Sequence, residues 1–328
     1  MLHILRNNSP YTAILLFIVT LGIHMQSLLH PALPAATQGQ VLYGWVISGF
    51  RFFLGSSAFA FSLLTVVMIY LQALALNAVA MTNRLYSRNT YLVAYCYIIL
   101  CAAHPEFSRF SPQLMINWLL ILAIHQIFRM QQVQHPNKTL FNIGFLLMIA
   151  MLLQFSAVFL LGFLFTALII LRQFNIKEWA ISLSGMLMPL YIIAVVLFLT
   201  DKLPLLLLWP DVGISLPRQI HPAVYYLGSF AFVLLLLATG LFHMQGQLPK
   251  TSIYIRRCWI ALSALFVFAL LTCIFTDAAG GPAWMVSLPA LSLITAHAFY
   301  HERSKLMNNI VFYCSLAFIV FCQFFLPV

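Results

Sequence analysis

An all-α, polytopic membrane fold is the architecture this sequence predicts, and three observations predict it. The 328 residues are 63% hydrophobic and only 7% charged. Apolar runs follow one another from residue 11 to the C-terminus, separated by nothing longer than a loop. The basic residues collect in alternate loops. With a mean hydropathy of +0.99, the chain has too little polar surface to clothe a water-soluble globule. Two soluble domains, which the length alone would allow, are thereby excluded. A transmembrane barrel needs strands of about ten alternating residues, and continuous apolar runs are the opposite pattern. One integral membrane domain, residues 1–328, is expected, mostly helical because lipid-exposed backbone must satisfy its own hydrogen bonds.

The elements follow in order. The N-terminal "MLHILRNNSPYTAILLFIVTLGIHMQ" resembles a signal peptide, with "LPAA" as a cleavage-like site, but its apolar run is long enough to stay as a first span. A spanning helix takes about 20 apolar residues. The runs are Tyr11–His30, Ser56–Ala80, Thr90–Ala103, Gln113–Phe128, Phe141–Leu171, Trp179–Thr200, Pro222–Phe242, Cys258–Thr276, Ala283–Tyr300 and Asn308–Leu326. The fifth has 31 residues. As one helix it would be about 46 Å long, against a hydrocarbon core of about 30 Å. Arg129 and Lys138 precede it and Arg172 and Lys177 follow it, so both flanks read as cytoplasmic. It is expected to be two short spans turning near Gln154–Ser156, which makes eleven membrane segments.

Two further stretches are apolar but are not plain spans. Val41–Gly55 carries Arg51 and three glycines and reads as an interfacial or re-entrant helix. Leu203–His221 is broken by Pro204, Pro210 and Pro217 and is expected to lie in the outer interface. Further on, Gly185 and Pro189 inside the Trp179–Thr200 run suit close packing or a kink.

The charges orient the chain. With the N-terminus inside, cytoplasmic loops carry Arg6, Arg84, Arg88, Arg129, Lys138, Arg172, Lys177, Lys250, Arg256, Arg257, Arg303 and Lys305. The outer side carries Arg51, Arg109, Lys202 and Arg218. Twelve against four places the N-terminus in the cytoplasm and the C-terminus in the periplasm of a bacterial inner membrane. The formal charge of +10 is explained by those loops and by anionic headgroups. It does not indicate nucleic acid, because there is no basic run and no basic–aromatic module. The six cysteines lie in or at the ends of apolar runs, none in a CxxC pair, and read as small core residues.

Four of the six acids, Glu106, Asp201, Asp211 and Asp277, fall on the outer side with the four outer cations. Charge between membrane segments is expensive and tends to be paired or functional. The stretch "LCAAHPEFSRFSPQL" concentrates it, with Glu106 and Arg109 between Pro105 and Pro112 and His104 just before them. Arginine suits phosphate through its planar fork, and a carboxylate nearby serves as general base. Glu106 and Asp277 are therefore the candidate catalytic acids, and Arg51, Arg109, Arg218, Asp211 and His104 the candidate substrate-binding residues. Asp277 stands in "TDAAGGPAW", where Gly280, Gly281 and Pro282 make a tight turn. His297 and His301 have the spacing of a two-histidine metal site, but no third ligand is identifiable, so interfacial anchoring is the reading there and no metal or cofactor is expected.

The segments "NRLYSRNTYLVAYCYIILCAAHPEFSRFSPQLMINWLLILAIHQIFR" and "LRQFNIKEWAISLSGMLMP" resemble a family of multi-span inner-membrane proteins of the Bacteroides group. The shared elements are Asn83–Leu85, the loop with Glu106, Ser111 and Pro112, and the Arg172–Trp179 turn, over about residues 80–190. That resemblance implies a compartment and assigns no catalytic residue. The chain also looks, more loosely, like multi-span lipid-linked-sugar glycosyltransferases in its many spans, short cytoplasmic loops and outer re-entrant helices. It departs from them in the first outer loop, Pro31–Val41, which holds no acid. Together these suggest a cell-envelope transferase acting on a polyprenyl-phosphate-linked sugar. The alternatives are a non-catalytic subunit of an envelope or secretion complex, with a membrane-protein partner, and a transporter of an amphipathic anion, which the lack of an internal repeat disfavours.

Overall fold

The computed structural model describes residues 5–6, 10–34, 40–204, 212–214, 223–277, 283–300 and 311–319. The helices are α1 (Pro10–Ile23), α2 (Met25–Leu29), α3 (Val41–Leu54), α4 (Ala58–Thr82), α5 (Leu92–Ala102), α6 (Pro112–Met130), α7 (Asn137–Leu153), α8 (Phe159–Leu171), α9 (Ile176–Leu199), α10 (Ala223–Gln247), α11 (Ile253–Ile274) and α12 (Leu288–Tyr300), and residues 311–319 add a further helical stretch. Short 3₁₀ turns occupy Pro105–Ser108, Phe155–Val158, Leu248–Lys250 and Ala283–Ser287. Among the described residues six helices are long and apolar enough to cross a membrane, and five apolar helices are shorter.

Two short helices form the centre. Every residue of α5 is buried, and in α12 every residue but Tyr300 is. A helix apolar and covered on all sides is a core element. α5 and α12 pack on each other, with α4 beside α5 and α10 beside α12. The outer helices keep large apolar side chains exposed, among them Tyr191 and Phe198 on α9 and Phe242 on α10. That is the face a membrane protein gives to lipid.

The long fifth run turns where its length requires. α7 stops at Leu153, Gln154 is extended (φ −152°, ψ 124°), and α8 begins after one 3₁₀ turn. The first residue past α8, Arg172, bonds back to the turn that precedes α7, so both ends of the hairpin lie at one end of the bundle. Its tip, Phe155–Val158, rests against α11 and the residues that follow it.

α7 also packs along α9, more extensively than any other helix pair. Gly144 on α7 faces the backbone of Ser182, and Gly185 on α9 faces the carbonyl of Phe141, each so closely that a Cβ would overlap it. Without a hydrophobic effect inside lipid, such close approach of backbones is what holds helices together. Gly185 thus has the packing role its position suggests.

One feature departs from an all-helical reading. Val212–Ile214 and Phe275–Asp277 form a three-residue antiparallel ladder, pairing Val212 with Asp277, Gly213 with Thr276 and Ile214 with Phe275. The cause is in the sequence. Pro204, Pro210 and Pro217 make a long unbroken helix over this stretch costly, and the extended residues Val212–Ile214 find their ladder partners in the residues after α11. The rest of Leu203–His221 from residue 205 on lies outside the described residues.

Candidate functional site

Of the charged candidates, Arg51, Glu106 and Arg109 lie at one end of the bundle, and the hydrogen bonds there show how. Ser108 and His24 are both buried, with Oγ and Nδ1 2.7 Å apart, which ties the α1–α2 junction to the turn after α5. The Tyr43 hydroxyl donates to the Phe110 carbonyl at 3.0 Å, and the Phe110 ring packs against Tyr43, Phe50 and Phe61. Phe50 and Phe110 are the chain neighbours of Arg51 and Arg109, so both arginines sit at this end, on α3 and on the turn that leads into α6. Pro105 opens the 3₁₀ turn and Pro112 opens α6, each at a position where its missing N–H costs nothing.

Within that turn Glu106 and Arg109 do not pair through their side chains. The Arg109 amide donates to the Glu106 carbonyl at 3.2 Å, closing the turn. The Glu106 amide donates to Nδ1 of His104 at 3.2 Å. This makes Nδ1 an acceptor, so the 4.0 Å approach of a Glu106 carboxylate oxygen to the same nitrogen is not an ion pair in that state. Burial holds the His104 imidazole below its ordinary 6.5, with the Glu106 carboxylate opposing and the Arg109 guanidinium adding to the effect. Glu106 is about half exposed, at 51%. Among the described residues the Arg109 side chain has no hydrogen bond and no ion pair. Beside it is a small cavity of ≈ 20 Å³ lined by Gln26, Ser27, His30, Ser62, Ser108 and Arg109. The Gln26 Oε1 and His24 Nε2 atoms are buried and, among the described residues, without a hydrogen-bond partner. The cavity holds about one water, not a substrate, so any larger ligand would lie over it, against Arg109 and Glu106.

The remaining candidates are placed as follows. Arg51 donates to the Pro34 carbonyl at 3.4 Å and is otherwise exposed. The Asp277 backbone lies in the ladder, paired with Val212. The side chain of Asp277, and Asp211 and Arg218 altogether, lie outside the described residues, as do His301 and Glu302. His297 is not an interface anchor: it is buried in α12, its ring 4.8 Å from Tyr86 and 4.7 Å from Trp259. No group of three or more His, Cys, Asp or Glu converges among the described residues.

Two constellations were not read from the sequence. The first is the His24–Ser108 bond, across 84 residues, which no spacing could reveal. The second lies in the core. Tyr97 donates to Gln72 Oε1 at 2.7 Å, Gln72 Nε2 to the Leu114 carbonyl at 2.7 Å, and Asn117 Nδ2 to the Met285 carbonyl at 2.9 Å and the Tyr97 hydroxyl at 3.2 Å. Polar residues inside apolar runs are the signal for such a network. It joins α4, α5, α6 and the 283–287 turn beneath the Glu106 end.

Comparison of the chain with protein-family models, with curated proteins and with solved structures finds no match.

Proposed function

We propose that this is a cell-envelope membrane protein that binds a polyprenyl-phosphate-linked sugar at the Glu106–Arg109 end, on the periplasmic face of the inner membrane, and transfers the sugar. The observation that carries the reading is the unbonded Arg109 guanidinium beside the half-exposed Glu106 carboxylate, at the rim of a bundle otherwise poor in charge. An arginine held in place by a turn, with its fork unspent, suits a phosphate. In the transfer, an acceptor hydroxyl attacks the anomeric carbon and gives its proton to Glu106. The bond from that carbon to the phosphate oxygen breaks, and Arg109 stabilises the departing polyprenyl phosphate. Asp277, at the same ladder as the outer segment, is the alternative base.

The test is complementation of a deletion strain, with membrane abundance followed in parallel. Arg109→Ala and Glu106→Gln should each abolish complementation at normal abundance. Arg109→Lys should rescue in part, because a point charge lacks the planar geometry. Full complementation by Arg109→Ala would remove the phosphate site and favour a non-catalytic subunit.

A further inference from the structure

At the opposite end a second, larger cleft opens between the turn before α7 and the turn before α9. Its volume is ≈ 780 Å³, with Arg257 of α11 on its wall. That is within the range of small-molecule sites, about 300–1,000 Å³. Its charges are Arg172, Lys177 and Arg257 against Glu178, three cations and one carboxylate.

The four are not equivalent. Arg172 is committed to the fold: Nη1 donates to the Met130 and Val133 carbonyls at 2.9 and 3.0 Å, and Nη2 donates to the Gln134 carbonyl at 3.3 Å and is ion-paired with Glu178 Oε1 at 3.1 Å. Lys177 and Arg257 are exposed, and among the described residues their side chains make no hydrogen bond or ion pair. Glu178 is only 8% exposed, and its second oxygen, Oε2, is buried without a hydrogen-bond donor among the described residues. A buried carboxylate oxygen left unpaired is costly and seeks a donor. The cleft therefore offers two free cations, which select an anion, and one orphan acceptor, which selects a hydroxyl or amine. Its net positive charge favours an anionic ligand over a zwitterion, and so a hydroxyl over an amine. Phe174 and Ile176, 72% and 73% exposed, supply an apolar rim.

We infer that this cleft binds a phosphate ester carrying free hydroxyls, with Lys177 and Arg257 on the phosphate and Glu178 Oε2 accepting from a hydroxyl. The chemistry is shared by a polyol phospholipid headgroup and by a soluble polyol phosphate. The site is independent of the one at the Glu106 end.

The experiment uses the full chain purified in detergent, with lipid retention read by native mass spectrometry. Phosphatidylglycerol is the probe. Phosphatidylmethanol has the same phosphodiester charge without hydroxyls, and phosphatidylethanolamine is zwitterionic. The wild type should retain phosphatidylglycerol about ten-fold better than either, the effect of one good polar contact. Lys177→Gln with Arg257→Gln should erase the preference over phosphatidylethanolamine. Glu178→Gln should erase only the preference over phosphatidylmethanol. Since Glu178 also pairs with Arg172, the double variant of exposed residues keeps the test open if Glu178→Gln fails to fold. Equilibrium dialysis with sn-glycerol 3-phosphate is the second arm. Binding there that is lost in the same variants, without lipid selectivity, keeps the site and assigns it a soluble ligand. Equal retention of the three lipids with no glycerol phosphate binding overturns the inference, as does selectivity that survives the double variant.

Discussion

Arg172 and Arg109 occupy opposite ends of the bundle and use the same guanidinium in opposite ways. Arg172 donates to three backbone carbonyls and pairs with a carboxylate, and so clamps the start of the α7–α8 hairpin to its finish. Arg109 contributes only its backbone amide to the turn it sits in, and its side chain is left unbonded among the described residues. The difference separates structure from function without reference to any relative. A cation held by three carbonyls and a carboxylate inside the protein has little left to offer a ligand. A cation positioned by its backbone, with its donors unspent, is stabilising nothing in the fold and is available for another purpose. Both are arginines in short turns between helices, and only the hydrogen bonds show which side chain is committed to the fold.

The comparison can be broken first at Arg172. Arg172→Ala leaves three carbonyls without their donor and the buried Glu178 carboxylate without its cation. It should destabilise the protein by about 3 kcal/mol, and Arg172→Lys should recover little of this. Thermal unfolding of the detergent-purified protein measures it; an unchanged midpoint would mean the clamp is idle. Next in size is Ser108→Ala, which removes the one hydrogen bond that the buried His24 ring makes among the described residues and should cost about 1–2 kcal/mol by the same assay. Arg109→Ala comes third. Its effect on unfolding should stay within about 0.5 kcal/mol, as for a surface change that breaks no contact, even as complementation is lost. A large destabilisation there would make the two arginines alike after all.

The smallest effect concerns pH. The His104 imidazole, held below its ordinary 6.5 by burial, is neutral in the fold at pH values where the unfolded chain begins to bind a proton. Stability linked to it is therefore complete above about pH 6.5 and declines as pH falls below that, through the folded value. Arg109→Ala removes a charge that disfavours the protonated ring, so the His104 midpoint should rise; Glu106→Gln removes one that favours it, so the midpoint should fall. Titration of the His104 ring by NMR reads both signs.

Much of this fold is legible in the sequence because membranes constrain it so heavily. Apolar length locates the helices, and the excess length of Phe141–Leu171 with basic flanks at both ends dictates a turn, found at Gln154. Gly185 announces a close approach, though nothing marks Gly144 and Phe141 as the facing surface. What stayed hidden depends on contacts between distant residues. The proline-broken outer segment gave no hint of a ladder with Phe275–Asp277. Arg172 satisfied the topology rule so well that no second role was sought for it. At the candidate site His104, Glu106 and Arg109 stood out as scarce charge in an apolar chain, whereas Ser108 did not, because a lone serine in a loop is unremarked until His24 is set beside it.

The place of α5 in the fold has a consequence for how the chain is made. This helix is about 16 Å long, half the thickness of the hydrocarbon core, and α12 covers one of its faces. Tyr95 at its start reaches Ser315 at 3.3 Å, 220 residues away in sequence. Tyr86, just before it, donates to the Leu293 carbonyl, and Arg6 donates to the Phe299 carbonyl at 2.8 Å across 293 residues. A ribosome adds about 5–20 residues per second, so for roughly ten seconds or longer the innermost helix waits in the membrane with its inner face uncovered. A chain released before residue 288 would present that face to the bilayer or to its quality-control machinery, however completely its earlier helices had assembled.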